Sequence, residues 1–460
     1  MKTESIQNSR IQNLNTIDIQ KGNYVLYWMQ QSQRAHCNHA LEYAILQANR
    51  LGQGVLVGFG LMDNYPEANL RHYTFMLEGL KETQASLAQR GIKMVVRTGQ
   101  PAEIALTLGR DASLIVCDRG YLKHQKKWRS RVARQADCRV VQVESDVVVP
   151  VEIVSEKAEY AARTMRPKIH RNLEAYLEEL KPIRPKHKSL KSSIKGIDIT
   201  DTENILKKMR LDRNVAPVTQ FFKGGTSQAV KRFDAFMRRR LRHYDQHSNQ
   251  PQTDDVSGMS PYLHFGQISP LYLALRIQRT DRASQKDKDA FLEELIVRRE
   301  LAMNFVNYTK GYDTFDCIPP WAQKTLSEHQ KDKRDYVYSR RQLETAETHD
   351  EYWNAAMREM RYTGFMHNYM RMYWGKKILE WSPTPQKAFR STLAINNKYF
   401  LDGRDANSYT GVAWIYGVHD RAWAERPIFG KIRYMAASGL ERKCDIQAYV
   451  KKVDTLVARA

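Results

Sequence analysis

Hydrophobic positions follow two rhythms along this chain. From about residue 23 to residue 145, short apolar runs alternate with amphipathic stretches. NYVLYWM, GVLVGFGL, KMVVRTG, ASLIVCD and CRVVQVE are of strand length and rich in Val, Leu and Ile, as strands buried on both faces are. A helix is predicted from Cys37 to Asn49. Another is predicted over LRHYTFMLEGLKETQASLAQRG, where Tyr73, Met76, Leu77 and Leu80 fall at helical spacing and Gly91 is a stop signal. Such alternation predicts a parallel sheet with helices on both faces, taking ligands beyond the carboxyl ends of its strands. Neither G-x-G-x-x-G nor a Walker sequence occurs here, so no dinucleotide or triphosphate fingerprint is present.

From about Ser227 the strand rhythm disappears. SQAVKRFDAFMRRRLRHY, DAFLEELIVRRELAMNFVNY, HDEYWNAAMREMRYTG and MHNYMRMYWGKKILEW all carry helical spacing. Between the halves, KPIRPKHKSLKSSIKG is rich in Lys, Pro and Ser with almost no apolar periodicity, and reads as an exposed linker or basic loop. The expected fold class is α/β plus all-α: a parallel-sheet α/β domain over residues 20–150, a linker with a basic loop over 151–228, and a helical domain over 229–460.

Charge narrows the choice of partner. With 73 basic and 51 acidic residues, the chain carries +22 and a pI near 9.6, a surplus that favours a polyanion, usually nucleic acid. The five cysteines (Cys37, Cys117, Cys138, Cys317 and Cys444) are odd in number, widely spaced and without C-x-x-C. That argues for reduced thiols in an intracellular protein and against a metal site. MKTESIQNSR has no apolar signal core, and no apolar run approaches the ~18 residues of a membrane span, so no membrane partner is expected.

Four stretches of the helical half hold candidate chemistry. In VSGMSPYLHFGQISP, Ser257, Gly258 and Ser260 precede a helical run, where hydroxyls and free N–H groups make either an ordinary cap or an anion site. In EELIVRRE, Glu294 and Arg298 stand at i, i+4, the order of a surface ion pair. Asp402, Asp405 and Asn407 surround the turn at Gly403, and Trp414, Trp423, Arg421, Arg426 and Arg433 then interleave aromatics with cations, a mixture suited to bases and phosphates. Along MHNYMRMYWGKKILEW, Arg371 and Trp374 are three apart and Trp374 and Trp381 seven apart, near one helix face.

Taken together these stretches resemble one family, the class II cyclobutane pyrimidine dimer photolyases of the photolyase/cryptochrome family. SPYLHFGQIS, FLEELIVRREL, MHNYMRMYWGKKILEW, YFLDGRDANSY, GVHDRAW and GKIRYM occur in that order, and YWM at Tyr27 and RPK at Arg166 extend the likeness over about residues 20 to 450. The resemblance implies a Rossmann-like N-terminal domain and a helical domain that binds FAD, active as FADH⁻, and DNA. It implies light-driven splitting of pyrimidine dimers by electron transfer to a lesion flipped out of the duplex, as base-flipping enzymes of this kind do. Tyr244, Ser257, Gly258, Met259 and Ser260 match phosphate and ribityl contacts. Asn368, Arg371 and Asp402 match residues lining the flavin ring, and Asn396 the residue facing its N5.

Glu294 matches the carboxyl that contacts the dimer, and Met372 and Trp414 line the lesion pocket. The resemblance makes Arg421 the candidate for filling the vacated space in the duplex and places Trp423 among the expected substrate contacts. The segment between Trp414 and His419 is one residue shorter than the family pattern. Trp374, Trp353 and Trp381 match a relay of electrons from the surface to oxidised flavin, with Trp374 nearest the flavin and Tyr373 assisting. The α/β domain is expected to hold an antenna pigment, 8-hydroxy-5-deazaflavin or a folate. The partner is UV-damaged DNA and the protein a monomer, located with the DNA in the cytoplasm or, in a eukaryote, the nucleus. The competing expectation is a cryptochrome-like blue-light receptor.

Overall fold

The computed structural model describes residues 6–460. Six strands form one sheet: β1 (Ile11–Asn13), β2 (Tyr24–Trp28), β3 (Gly54–Leu61), β4 (Lys93–Thr98), β5 (Ala112–Asp118) and β6 (Arg139–Val143), in the order β1-β6-β5-β2-β3-β4. All neighbours are parallel except the edge pair β1–β6. Every residue of β2 and β5 is buried, so these strands read as unbroken apolar runs and not as alternating ones. β1 was not foreseen, because three polar-flanked residues carry no strand signal.

Helices α1 (His39–Arg50), α2 (Leu70–Gln89), α3 (Pro101–Gly109) and α4 (Lys123–Gln135) cover the sheet. Asn38 caps α1 by accepting from the Leu41 N–H, and α2 is closed at Gly91, whose φ of 79° few other residues adopt. The chain leaves β2 towards β3 and β4 but later places β5 and β6 on the opposite side. The sheet therefore has a switch point between β2 and β5, where open α/β sheets bind ligands. Asp118, ending β5, accepts from the N–H groups of Gln30, Gln31 and Ser32 and from the Tyr27 hydroxyl, and so fixes the loop at that point.

The connecting region is more ordered than its composition predicts. It contains the Ala162–Tyr176 helix, and beyond it the Lys-rich stretch runs as a strap against β3 and β4. The Ser189 N–H donates to Gly91 O (2.9 Å), the Lys93 N–H to Ser189 Oγ (2.8 Å) and the Ile197 N–H to Val96 O (2.8 Å). It thereby occupies backbone groups on the outer strand, β4, that an edge leaves open to stray pairing.

No strand follows β6 among the described residues, and the rest is helical. At the start of α2, Arg71 ties the two halves together by donating to Ala216 O (2.9 Å), Tyr399 O (2.6 Å) and Arg361 O (2.5 Å). One departure from the predicted helices matters. The stretch expected to run as one helix from residue 289 to 308 contains a π-helical turn at Glu293–Arg298, flanked by α-helix on both sides.

Candidate functional site

The π-turn decides how two adjacent carboxylates behave. In a π-helix residues five apart are aligned by i→i+5 bonding, so Arg298 meets Glu293 (Nε–Oε1 3.1 Å) and not Glu294. The ion pair expected between Glu294 and Arg298 is therefore not formed. Glu293 is also held by Arg166 through two bonds of 2.9 and 2.7 Å. Glu294 has no hydrogen-bond or ion-pair partner among the described residues. It keeps accessible surface yet is crowded by protein, as a side chain on the wall of an open hollow is. That crowding pushes its carboxyl above the usual range, with Arg298 opposing and Glu293 adding to the rise. Tyr244, buried against Phe236 and Phe291, feels the Glu294 charge.

The segment before the Ser260–His264 helix is not an ordinary cap. Met259 occupies the N-cap position with no side-chain cap bond, and neither the Ser257 nor the Ser260 hydroxyl has a partner among the described residues. Gly258 (φ 64°) lies against Arg232, whose Nη1 is 3.1 Å from where a Cβ would sit. Free hydroxyls, free helix-start N–H groups and a nearby guanidinium fit a phosphate group. Arg232 escaped notice in the sequence because it lies in an amphipathic run crowded with cations.

The Asn368–Trp381 helix supplies the next wall. The Arg371 Nη2 donates to both Asp402 oxygens (3.0 and 2.9 Å), and its guanidinium lies 3.8 Å from the Phe400 ring centroid. Asn396 spends its amide hydrogens on Asn397 Oδ1 (3.0 Å) and Ser408 Oγ, which leaves Oδ1 as its open group. Asn368 is exposed between the fully buried Met366 and Met370. Gly411, on the Ala406–Ile415 helix, has open space where a Cβ would project. His367 is buried, keeps its Nδ1 on the Tyr369 N–H and leaves Nε2 without a partner. Burial and the charges of Lys452 and Arg371 hold its imidazole neutral, at about 3. These open and unpaired polar groups fit a large polar cofactor such as FAD.

On the outer side, Met372 and Trp414 are half-buried and Arg298 lies 5.6 Å from the Trp414 ring centroid. The short segment after Trp414 closes through Gly417 (φ 106°) and His419 (φ 59°). Arg421 remains exposed there, 5.1 Å from the Trp423 ring, and Arg433 approaches that ring at 5.2 Å. Sequence reading missed Tyr160. It is 49% exposed, its hydroxyl donates to Asp420 O (2.9 Å), and its own carbonyl meets His419 Nδ1 (2.8 Å), so it joins the rim that carries Arg421 and Trp423. The only hint was its position six residues before Arg166.

The three tryptophans are packed deep. Trp353, Trp374 and Trp381 are at most 2% exposed. Trp353 donates its indole N–H to Trp374 O (2.9 Å) and meets the Trp381 ring at 5.4 Å. Trp374 faces Phe400 at 6.3 Å, and Phe400 in turn underlies Arg371. Trp381 reaches Tyr338 at 5.3 Å. Tyr373 bonds Asp350, which caps the helix bearing Trp353.

A separate cavity opens at the sheet's switch point. Gln30, Gln31, Tyr65, Tyr73 and Trp128 line it, with His264 and Arg404 from the helical half. Arg404 is buried, bonds Asn397 O (2.6 Å) and His72 Nε2 (2.9 Å), and pairs with no carboxylate among the described residues. The wall is shared: His264 ends the helix begun by Ser260, and Ala406 lies two residues before Ser408, the partner of Asn396.

Comparison with known proteins agrees with this geometry. A family model described as DNA photolyase matches residues 25–186. The chain is 48% identical to a deoxyribodipyrimidine photo-lyase of Methanothermobacter thermautotrophicus, over 98% of this chain and 99% of the relative. It is 38% identical to one from Arabidopsis thaliana (94% and 89%) and 37% to one from Potorous tridactylus (93% and 81%). Among solved structures, a class III photolyase from Agrobacterium tumefaciens superposes with a TM-score of 0.74 at 18% identity, over 94% of this chain and 87% of its own. A Synechocystis cryptochrome gives 0.68 at 15%, over 95% and 87%. The chain belongs to the photolyase/cryptochrome family, and its fold is the expected one of a parallel-sheet domain joined to a helical domain.

Proposed function

We propose that this protein repairs cyclobutane pyrimidine dimers in DNA with light, as a photolyase of the class II kind. The observation that carries the reading from family to reaction is Glu294, an exposed yet crowded carboxyl that forms no ion pair among the described residues and whose charge acts on Tyr244. Bound FAD, in its reduced anionic form, supplies the light-driven electron that splits the cyclobutane ring. The residues supply position and charge. Ser257, Gly258, Met259 and Ser260, with Tyr244, hold the phosphates and ribityl chain. Asn368 and the Arg371–Asp402 pair flank the ring, the aspartate tempering the cation. Asn396, with its donors engaged elsewhere, presents a carbonyl that accepts from the N–H of a reduced flavin. Protonated Glu294 donates to a thymine carbonyl and steadies the negative charge arriving there.

Met372 and Trp414 wall the flipped lesion. Arg421 enters the space it leaves, and Trp423 and Tyr160 brace the strands. Trp374, Trp353 and Trp381 carry electrons inward when the flavin is oxidised, Tyr373 holding the Asn368–Trp381 helix against the Glu351–Thr363 helix that bears Trp353. The switch-point cavity takes the antenna. Its aromatic walls and the unpaired Arg404 favour a compact, planar, anionic pigment, which matches 8-hydroxy-5-deazaflavin better than a folate. The protein works as an intracellular monomer on UV-damaged DNA. A cryptochrome-like receptor is the competing reading, and it requires no free acid at Glu294. The test is to reduce the purified protein, mix it with ultraviolet-irradiated oligo-dT and follow thymine absorbance. Recovery in the light alone supports repair, and no recovery from a flavin-loaded, reduced sample rejects it.

A further inference from the structure

The basic strap is absorbed by none of this. Residues 181–195 carry six cations, Lys181, Arg184, Lys186, Lys188, Lys191 and Lys195, and no acidic residue. All six side chains are exposed and none is bonded or ion-paired among the described residues. Of the flanking acids, Glu179 is engaged with Arg279 (2.9 Å), Asp198 with the Thr200 N–H (2.8 Å) and hydroxyl, and Asp201 as a helix cap with Asn204 (3.0 Å), which leaves one exposed carboxylate, Glu178, beside six cations.

Besides covering the β4 edge, the strap is fastened along its length. The Ile183 N–H donates to Glu42 (2.7 Å), the Lys186 N–H to Asn49 (2.8 Å) and the Ser189 hydroxyl to Val55 O (2.6 Å). Lys93 and Arg97, on β4 itself, turn their side chains onto strap carbonyls at Ser192 and Lys195. The result is a backbone held in place that presents six free ammonium and guanidinium groups to solvent. It starts at the amino ends of β3 and β4 and runs along the outer edge of β4 as far as Val96 and Arg97, and none of its residues lines the cavity at the switch point. An array of point cations in such excess over acids suits a regular polyanion, since each phosphate it neutralises releases a bound counter-ion.

We infer that the strap is a second DNA-docking surface, which holds a duplex segment by its phosphates, without reading sequence or lesion, while the lesion opening is occupied. This role rests on the repair reading only for what fills that opening.

The test uses the full chain and the quadruple variant K186Q/K188Q/K191Q/K195Q, whose side chains make no internal bonds. Protein is first loaded on an immobilised short duplex carrying one dimer, and a longer, labelled, undamaged duplex is then added. The wild type captures the second duplex and the variant loses at least about tenfold of that capture. The slope of log K against log salt falls by about 0.9 for each phosphate contact removed. Light-driven repair of the short duplex stays unchanged.

Equal capture by both proteins, or none by the wild type, overturns the inference. So does strap-dependent binding seen only with phosphatidylserine vesicles. If the short duplex is not repaired by either protein, the repair reading fails. Binding of undamaged duplex by unloaded wild type and variant then still decides the role of the strap.

Discussion

Glu293 and Glu294 are neighbours in different electrostatic circumstances. Burial would raise both, but the two guanidiniums on Glu293 outweigh it and hold that carboxyl low, while Glu294 stays raised. If the protonated Glu294 is the working form, repair at saturating lesion declines as pH climbs through that raised value. Glu294→Gln, which cannot ionise, flattens the profile and keeps much of the rate. Glu294→Ala loses one hydrogen bond to a charged group, about 1.5–3 kcal/mol, hence roughly ten- to a hundredfold in repair rate. A single-turnover repair assay across pH reads all three, and an unchanged pH profile in Glu294→Gln removes the acid from the account. Tyr160→Ala is expected to weaken binding of dimer-containing duplex by about 1–3 kcal/mol if the ring stacks on a base, read by fluorescence anisotropy.

Where elements meet, the spacing between two helices controls what the tryptophans can do. Gly375 lies one residue beyond Trp374, and a Cβ there would sit 2.0 Å from the Ile415 side chain of the Ala406–Ile415 helix. Gly375→Ala therefore overpacks this contact and costs about 1–3 kcal/mol, seen as a lower apparent Tm. Trp374→Phe keeps the packing but removes the easily oxidised indole. Photoreduction of oxidised flavin should fail, while repair by chemically reduced protein persists, and photoreduction at the normal rate would contradict the relay.

The junction between the halves gives a separate signal. Glu300 is buried on the Val148 and Val149 N–H groups, and burial pushes its carboxyl up to about 8. The folded state thus holds a proton that the unfolded chain releases near pH 4.3. Its contribution to stability is complete below that pH and declines as pH rises towards 8, by about 1.4 kcal/mol per unit at most. Glu300→Gln should flatten the fall of apparent Tm over that range.

At this scale the sequence announced the regular elements well, because β2, β3 and β5 are buried on both faces and leave plain apolar runs. It could not show the π-turn, since EELIVR satisfies an α-helical pattern equally. Nor could it show the strap, whose order comes from long-range bonds to β3 and β4 and not from its own periodicity.

In the whole molecule, the switch-point cavity shares a wall with the residues proposed to hold the flavin, and one face carries the aromatic and cationic rim. The +22 charge predicts that affinity for undamaged duplex falls steeply with salt, and a salt-independent affinity would contradict phosphate contact. The candidate site was legible in part. Glu294, Arg371, Asp402 and the three tryptophans stand in motifs dense enough to single out. Arg232 and Tyr160 had no such context and became visible only through the groups they face, whereas His367 stands inside MHNYMRMYWGKKILEW, where nothing but its burial sets it apart.

The claim that matters most is light-driven dimer repair, and product analysis on a defined substrate tests it most directly. Reduced protein is mixed with a duplex carrying one thymine dimer, divided between darkness and blue light, and the strands are separated by chromatography. The account predicts that undamaged strand appears only in the illuminated half, with no net oxidation of the protein. An unchanged dimer in both halves, from protein that holds reduced flavin and binds the duplex, would contradict it.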